Sequence, residues 1–161
     1  MTTPSEFIAT LKQEIATKTD LRRILNANVL AEIGETIVDA MKKDISQGRS
    51  PIEGEGAFPA YKKPDKYPGK RKPHRPVNLK LKGEMLSALQ YRINQAKIAV
   101  TILYRTRKAQ LKELGHREGA NRQPQRPTIP VDQESFTPTI RKKAQAVIDK
   151  AVRTASLTWK S

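Results

Sequence analysis

The chain has 161 residues, of which 37% are hydrophobic and 5% aromatic, so it suits one domain with a thin core, since a single core usually serves up to about 250 residues. It has no cysteine and two histidines, which excludes disulfides and thiolate metal sites and leaves little for acid–base catalysis. The sequence lacks a signal-peptide pattern and the roughly 18 to 20 consecutive apolar residues of a membrane span, so we expect a soluble, unexported protein.

The formal net charge is +15, and most of the excess lies in the middle of the chain. Residues 1–50 carry seven basic and seven acidic side chains, residues 51–126 carry eighteen and six, and residues 127–161 carry six and three. A localised positive field attracts phosphate backbones and acidic protein surfaces alike, so charge alone does not choose between them. A solvated lysine-rich loop without any partner is a third interpretation of each cluster.

The N-terminal third of the chain predicts helices. A capping box with a proline near the N-terminus predicts a first helix on which Phe7, Leu11 and Ile15 share a stripe. A longer helix is predicted from Leu21 to Ser46, because apolar residues recur every four positions along it. Its other face mixes both charges, as a solvated helix surface does.

A basic, proline-rich arm is predicted over residues 51–76. Six prolines in this range forbid a continuous helix or an interior strand, and aromatic residues lie among the cations. Such aromatics also stack bases in single-stranded nucleic-acid proteins, but anchoring on the parent domain or on a neighbour is the preferred interpretation. We expect the arm to be disordered in the isolated subunit and ordered in an assembly. Its candidate contacts with a neighbouring subunit or partner are Phe58, Tyr61, Tyr67, Lys70, Arg71, Lys72 and Arg75.

The next elements are a turn and a hairpin. Gly83 allows a turn that folds Met85, Leu86 and Leu89 under a sheet. An antiparallel hairpin is predicted from two β-rich segments, Tyr91–Ile93 and Ile98–Tyr104, with residues 94–97 as the turn.

The C-terminal third predicts two helices around a second basic loop. A short helix runs from Thr106 to Leu114 and is ended by Gly115, and the loop covers residues 116–130. A last amphipathic helix begins at Thr137 and Pro138, a cap followed by a proline in the first turn. The prediction is thus an α+β fold in which long N-terminal helices and a C-terminal helix pack on a small antiparallel sheet, with long extended loops.

No catalytic, cofactor or metal site is predicted. Each histidine lies in a basic loop without a motif around a nucleophile, and Gly54 and Gly56 precede proline-rich sequence rather than a helix. No zinc-finger, helix-turn-helix or RNA-recognition pattern accompanies the charge, so any contact with DNA is expected to be to its backbone. We therefore expect a protein that is not an enzyme.

The order of landmarks resembles a family of phage virion-morphogenesis proteins. Residues 76–86, PVNLKLKGEML, resemble the segment P-V-D-L-T-L-T-G-x-M-L of that family, with Lys82 where threonine is usual. A later family motif, R-P-F-L, corresponds to Arg126–Ile129, with Thr128 where phenylalanine is usual. The resemblance covers roughly residues 20–155.

The resemblance implies a structural subunit of a ring, hexameric or dodecameric, at the head–tail junction of a tailed bacteriophage. Such a neck, connector or tail-completion protein joins the portal and adaptor proteins to the tail, within a virion assembled in the host cytoplasm. A tail-terminator ring is an alternative within the same class, and a non-specific nucleic-acid-binding protein with a basic arm is the other. Arg126 is a further candidate contact with a partner. The candidates to face packaged DNA are Arg105, Arg107, Lys108 and Lys112.

Overall fold

The computed structural model describes residues 21–60, 83–119 and 124–157. In chain order these residues form α1 (Leu21–Ile24), α2 (Ala27–Ser46), α3 (Glu84–Ser87), β1 (Leu89–Asn94), β2 (Ala99–Tyr104), α4 (Arg107–Glu118) and α5 (Pro138–Leu157). Helices combined with one small antiparallel sheet confirm the predicted α+β class. The predicted first helix, with Phe7, Leu11 and Ile15, lies outside the described residues.

The predicted helix from Leu21 to Ser46 is interrupted at Asn26. This residue is extended (φ −71°, ψ 177°), and its Oδ1 accepts hydrogen bonds from the backbone N–H groups of Asn28 (3.0 Å) and Val29 (3.1 Å). A side chain in this position caps the first turn of a helix, so α2 begins anew after Asn26. The apolar spacing continues across the break, which is why periodicity alone predicted one helix.

The start of the predicted arm folds back on the domain. The backbone N–H of Phe58 donates to the carbonyl of Gly48 (2.7 Å), and the N–H of Thr137, next to α5, donates to the carbonyl of Pro51 (2.9 Å). An extended, disordered arm is therefore wrong for residues 51–60, because prolines exclude regular structure but not a loop held by other backbone hydrogen bonds. The rest of the arm lies outside the described residues.

Gly83 turns the chain into the core. Its backbone is left-handed (φ 78°, ψ −11°), a conformation that glycine adopts without a steric penalty. After this turn Met85 and Leu89 are buried in the main core cluster, and Leu86 packs against Ile45. The predicted turn is confirmed for Met85 and Leu89, whereas Leu86 packs in the separate cluster of Ile45 and Phe58.

The hairpin of β1 and β2 lies against α2. The strands pair antiparallel from Leu89 opposite Tyr104 to Asn94 opposite Ala99, which confirms the predicted hairpin. Gly34 allows the close approach of α2, because a Cβ atom there would lie 2.4 Å from the ring of Tyr91.

Helix α4 is longer than predicted. Thr106 caps it by accepting the N–H of Ala109 (3.2 Å), but the helix continues through Gly115 to Glu118. The end comes at Gly119, which is left-handed (φ 70°) and donates its N–H to the carbonyl of Gly115. A glycine inside a helix costs only about 1 kcal/mol, which packing readily offsets, so Gly115 was the wrong stop signal.

Helix α5 closes the core. It begins at Pro138 as predicted, but the Thr137 hydroxyl is buried and makes no hydrogen bond with the described residues, so it does not cap the helix. Ile140 joins the cluster under the hairpin, while Val147 and Ile148 pack against a second cluster formed by α1 and α2. No helix among the described residues is long and apolar enough to cross a membrane.

Candidate assembly surface

The predicted DNA-facing residues lie together on the surface at the N-terminal end of α4. The side chains of Arg105, Arg107, Lys108 and Lys112 are all exposed. The backbone N–H of Arg105 donates to the carbonyl of Ala88 (2.7 Å), just before β1, so the hairpin fixes where the helix starts.

Two of these four cations share an acidic partner. The Oε2 atom of Glu84 lies 3.0 Å from Nζ of Lys108 and 3.5 Å from Nζ of Lys112. The hydrogen bond and charge of Lys108, followed by the charge of Lys112, hold the pKa of Glu84 below its usual value. Exposed pairs of this kind contribute little to stability, but they lower the positive potential that the lysines present to a polyanion. Within the described residues, Arg105 and Arg107 form no ion pair.

The same helix exposes leucines. Leu111 and Leu114 are 54% and 47% exposed, and Val131, in the loop after α4, is 43% exposed. The helix instead buries Ala109 and Glu113. Apolar side chains among cations suit a protein partner better than a phosphate backbone, which offers them no apolar surface.

A buried carboxylate anchors the second loop to α4. The Oε1 atom of Glu113 accepts hydrogen bonds from the N–H groups of Thr128 (3.0 Å) and Ile129 (3.3 Å), and Oε2 accepts one from the Thr128 hydroxyl. The Thr128 hydroxyl lies 2.8 Å from the hydroxyl of Tyr104. While Glu113 is ionised, Thr128 donates to it, so Tyr104 must donate to Thr128.

Burial sets the ionisation of this carboxylate. It raises the pKa of Glu113, and the hydrogen bonds from Thr128 and Ile129, followed by the charge of Arg117, oppose the rise. Arg117 also pairs with Glu134 in the loop before α5 (3.0 Å), so one cation holds both the carboxylate and the loop.

Thr128 joins these groups into one buried network. The residue is fully buried, and its hydrogen bonds to Glu113 and Tyr104 anchor the loop. Sequence reasoning missed Glu113. The only signal was its position four residues after Ala109, on the face of α4 opposite to the exposed leucines.

Arg126 is a structural residue of this chain. Its Nε and Nη2 donate to the carbonyl of Pro59 (3.0 and 2.9 Å), Nη2 also donates to the carbonyl of Ala60 (3.0 Å), and the residue is 1% exposed. The prediction that it contacts a partner is corrected, because its guanidinium group is buried against the chain's own first loop.

Phe58 is likewise part of the core. It is 8% exposed and packs with Ile45, so it is corrected from a partner contact to an internal anchor of the first loop. The other predicted contacts of the arm lie outside the described residues and stay predictions: Tyr61, Tyr67, Lys70, Arg71, Lys72 and Arg75.

Of the two histidines, His116 lies among the described residues. Burial, followed by the charges of Arg126 and Lys112, lowers the pKa of His116 and keeps its imidazole neutral at neutral pH. In the ranges that the structure describes, no three acidic or histidine side chains are grouped as metal ligands would be. An open cleft of about 380 Å³ lies among α1, α2 and α5, and its lining combines apolar side chains with Arg23, Asn26, Thr154 and the ion pair of Glu32 with Lys150.

Comparisons with protein families, with characterised proteins and with solved structures found no match for this chain.

Proposed function

We propose that the chain is a non-enzymatic structural subunit of a hexameric or dodecameric ring at the head–tail junction of a tailed bacteriophage, where it joins the portal complex to the tail. The observation that carries the proposal is the conformation of the chain at the end of residues 76–86, the segment that resembles phage morphogenesis proteins. Its glycine, Gly83, makes a left-handed turn, and its methionine, Met85, enters the core. The described end of the segment thus has a defined structural purpose, which supports the resemblance.

The small sheet also supports assembly. It consists of β1 and β2 alone, and within the described residues neither strand has a partner on its outer edge. A two-stranded sheet is marginal by itself, and an open edge is a ready template for a strand of another subunit. A subunit that is completed by its neighbours fits these features.

The positive charge then has two proposed uses. Lys70, Arg71 and Lys72, in the aromatic-bearing arm, contact acidic neighbours such as portal, adaptor or tail proteins. Beside α4, Arg105 is the cation best suited to non-specific contact with packaged DNA, because it is exposed, precedes the helix that carries the leucines and, within the described residues, forms no ion pair with Glu84.

Electron microscopy of the virion tests the proposal. The expected result is density for this chain in a closed ring between portal and tail. Density elsewhere in the particle, or its absence from the particle, would refute the assignment. The same map separates a neck or tail-completion ring from a tail terminator by its neighbours.

A genetic experiment tests the use of the arm. Replacing Lys70, Arg71 and Lys72 with glutamine is expected to leave filled heads intact but to block their joining to tails, scored by counting unattached heads and tails in lysates. The matched control replaces Lys142 and Lys143, which are exposed on α5. Normal particles that leak DNA would instead assign the arm to the channel.

The net charge of +15 keeps nucleic-acid binding as the second candidate function. A self-sufficient DNA-binding protein would bind free duplex with an affinity that falls steeply with salt concentration. A ring subunit is expected to bind free DNA weakly, so a salt titration of duplex binding by the purified chain discriminates the two.

A further inference from the structure

The outer face of α4 carries a symmetric stripe. Arg107, Leu111, Leu114 and Glu118 are all exposed, and their spacings of four, three and four residues place them on one face of the helix. Followed from either end, the stripe has the same spacing: a charge, two leucines and a charge of the opposite sign. Such a stripe is complementary to a copy of itself that runs in the opposite direction.

We propose that α4 is a self-association surface that binds α4 of a second copy of this chain in an antiparallel pair. Leu111 then packs against Leu114 of the partner subunit, and Leu114 packs against Leu111 of the partner subunit. Arg107 pairs with Glu118 of the partner subunit, and the reciprocal pair forms at the other end. The contact has a two-fold axis between residues 112 and 113, so both copies use the same surface.

The charges of α4 favour a second copy as the occupant. The first turn of the helix contains Arg107 and no acidic residue, and the last residue is Glu118. Each charge has the same sign as the partial charge of its own helix end, which is unfavourable. In the antiparallel pair each charge lies beside the opposite end of the other helix and beside an opposite side chain. Within the described residues neither Arg107 nor Glu118 has an ion-pair partner.

The apolar part of the stripe supports the same occupant. The helix buries Glu113 and leaves Leu111 and Leu114 in solvent, which is the reverse of an ordinary amphipathic helix. Gly115 adjoins the stripe and has no side chain that would hold the second helix away. One pair of 12-residue helices buries less area than a standard interface, so we expect association in the micromolar range.

This contact is separate from the proposed ring. A two-fold contact closes with two copies and cannot propagate around a ring. It therefore predicts dimers of the free chain whether or not the chain enters a phage junction, and its failure would leave the proposed ring untouched.

Charge exchange tests the contact in the full-length protein. Sedimentation equilibrium over a concentration series is expected to show a monomer–dimer equilibrium for the wild type. Arg107→Glu alone and Glu118→Arg alone are each expected to weaken it by about tenfold, because each creates two like-charge pairs. An equimolar mixture of the two variants restores association, since every 107–118 pair between unlike subunits is then attractive. The double variant R107E/E118R also restores it.

Cysteine cross-linking tests the register of the helix pair. Because the chain has no native cysteine, any disulfide must involve the introduced residues. A mixture of the L111C and L114C variants is expected to form disulfide-linked dimers faster than either variant alone. Circular dichroism checks that each variant is folded. A wild type that stays monomeric would overturn the proposal, as would a mixture of charge variants that associates no better than its components, or cross-linking that is equal in all three samples.

Discussion

Removing the buried carboxylate of α4 should weaken the anchoring of the second loop at Thr128 and Ile129. In the wild type Glu113 accepts hydrogen bonds from the backbone N–H groups of Thr128 and Ile129 and from the Thr128 hydroxyl. In Glu113→Ala the hydroxyl keeps Tyr104 as a partner, but both N–H groups lose theirs. The alanine side chain is also too short to fill the space of the carboxylate.

The size of the effect follows from the two unpaired N–H groups. Each buried unsatisfied donor costs about 1–3 kcal/mol. The variant no longer has to bury a charged carboxylate, which offsets part of this cost, so we expect the free energy of unfolding to fall by about 2–4 kcal/mol. Domains of this kind are stable by about 5–15 kcal/mol, which makes the loss easy to detect. Glu113→Gln should cost less than about 1 kcal/mol, because the amide oxygen accepts both N–H groups and the amide nitrogen donates to Thr128.

Urea unfolding followed by circular dichroism measures these differences in the free energy of unfolding. Glu118→Ala is the matched control, since it makes the same substitution on the same helix at an exposed position, and in dilute protein it should change stability by less than about 0.5 kcal/mol. The reasoning is refuted if Glu113→Ala costs less than 1 kcal/mol by this assay, or if the glutamine variant loses as much as the alanine variant.

The pH dependence gives an independent check on the same carboxylate. Burial raises the pKa of Glu113 above its ordinary value of 4.5, so the folded state binds its proton more tightly than the unfolded state does. The pKa of Glu113 is thus lower in the unfolded chain than in the folded chain. At a pH between the two values the unfolded chain has lost the proton and the folded chain has kept it, so the contribution of Glu113 to stability falls as the pH rises. The stability of the wild type relative to Glu113→Gln should therefore be highest and constant below the ordinary pKa of 4.5, decline as the pH rises above it, and level off once the folded state is also ionised.

Three further predictions concern the packing. Gly34→Ala should cost about 1–3 kcal/mol by thermal unfolding, because the new methyl group meets the ring of Tyr91, and Tyr91→Ala in the same chain should remove most of that cost. Arg126→Ala should release the loop after α2, seen as faster hydrogen exchange there while the amides of α5 keep their protection. Ile33→Asp should unfold the chain, whereas Ile148→Asp, at a less buried position of the same cluster, should leave more folded protein by circular dichroism; a fully folded Ile33→Asp variant would contradict the core.

The parts of the fold that sequence predicted correctly are those governed by local chemistry. The hairpin of β1 and β2 follows from two β-rich segments around a polar turn, and the turn at Gly83 follows from the conformational freedom of glycine. The proline at the start of α5 fits the first turn of a helix for a similarly local reason.

The parts that sequence predicted incorrectly depend on partners far away in the chain. Arg126 looks like a free cation in sequence, but the carbonyls that bury it belong to residues 59 and 60. Phe58 was predicted to contact a partner, but in the fold it packs against Ile45 near the end of α2. Glu113 is one of many charges of a polar helix, and only the position of Thr128 makes it an internal acceptor. No periodicity or local motif carries that information.

The packing of α2 against α5 has a consequence for how the chain folds as it is made. Leu30 and Ile33 are covered by Val147 and Ile148, which follow them by more than a hundred residues. A ribosome adds roughly 5–20 residues each second, so the part of α2 that α5 covers stays exposed for several seconds after it leaves the exit tunnel, even if the hairpin packs on α2 earlier. During that time the nascent chain presents a binding site for a chaperone, and a ribosome-bound chain that stops before α5 should be captured more strongly than one that includes it.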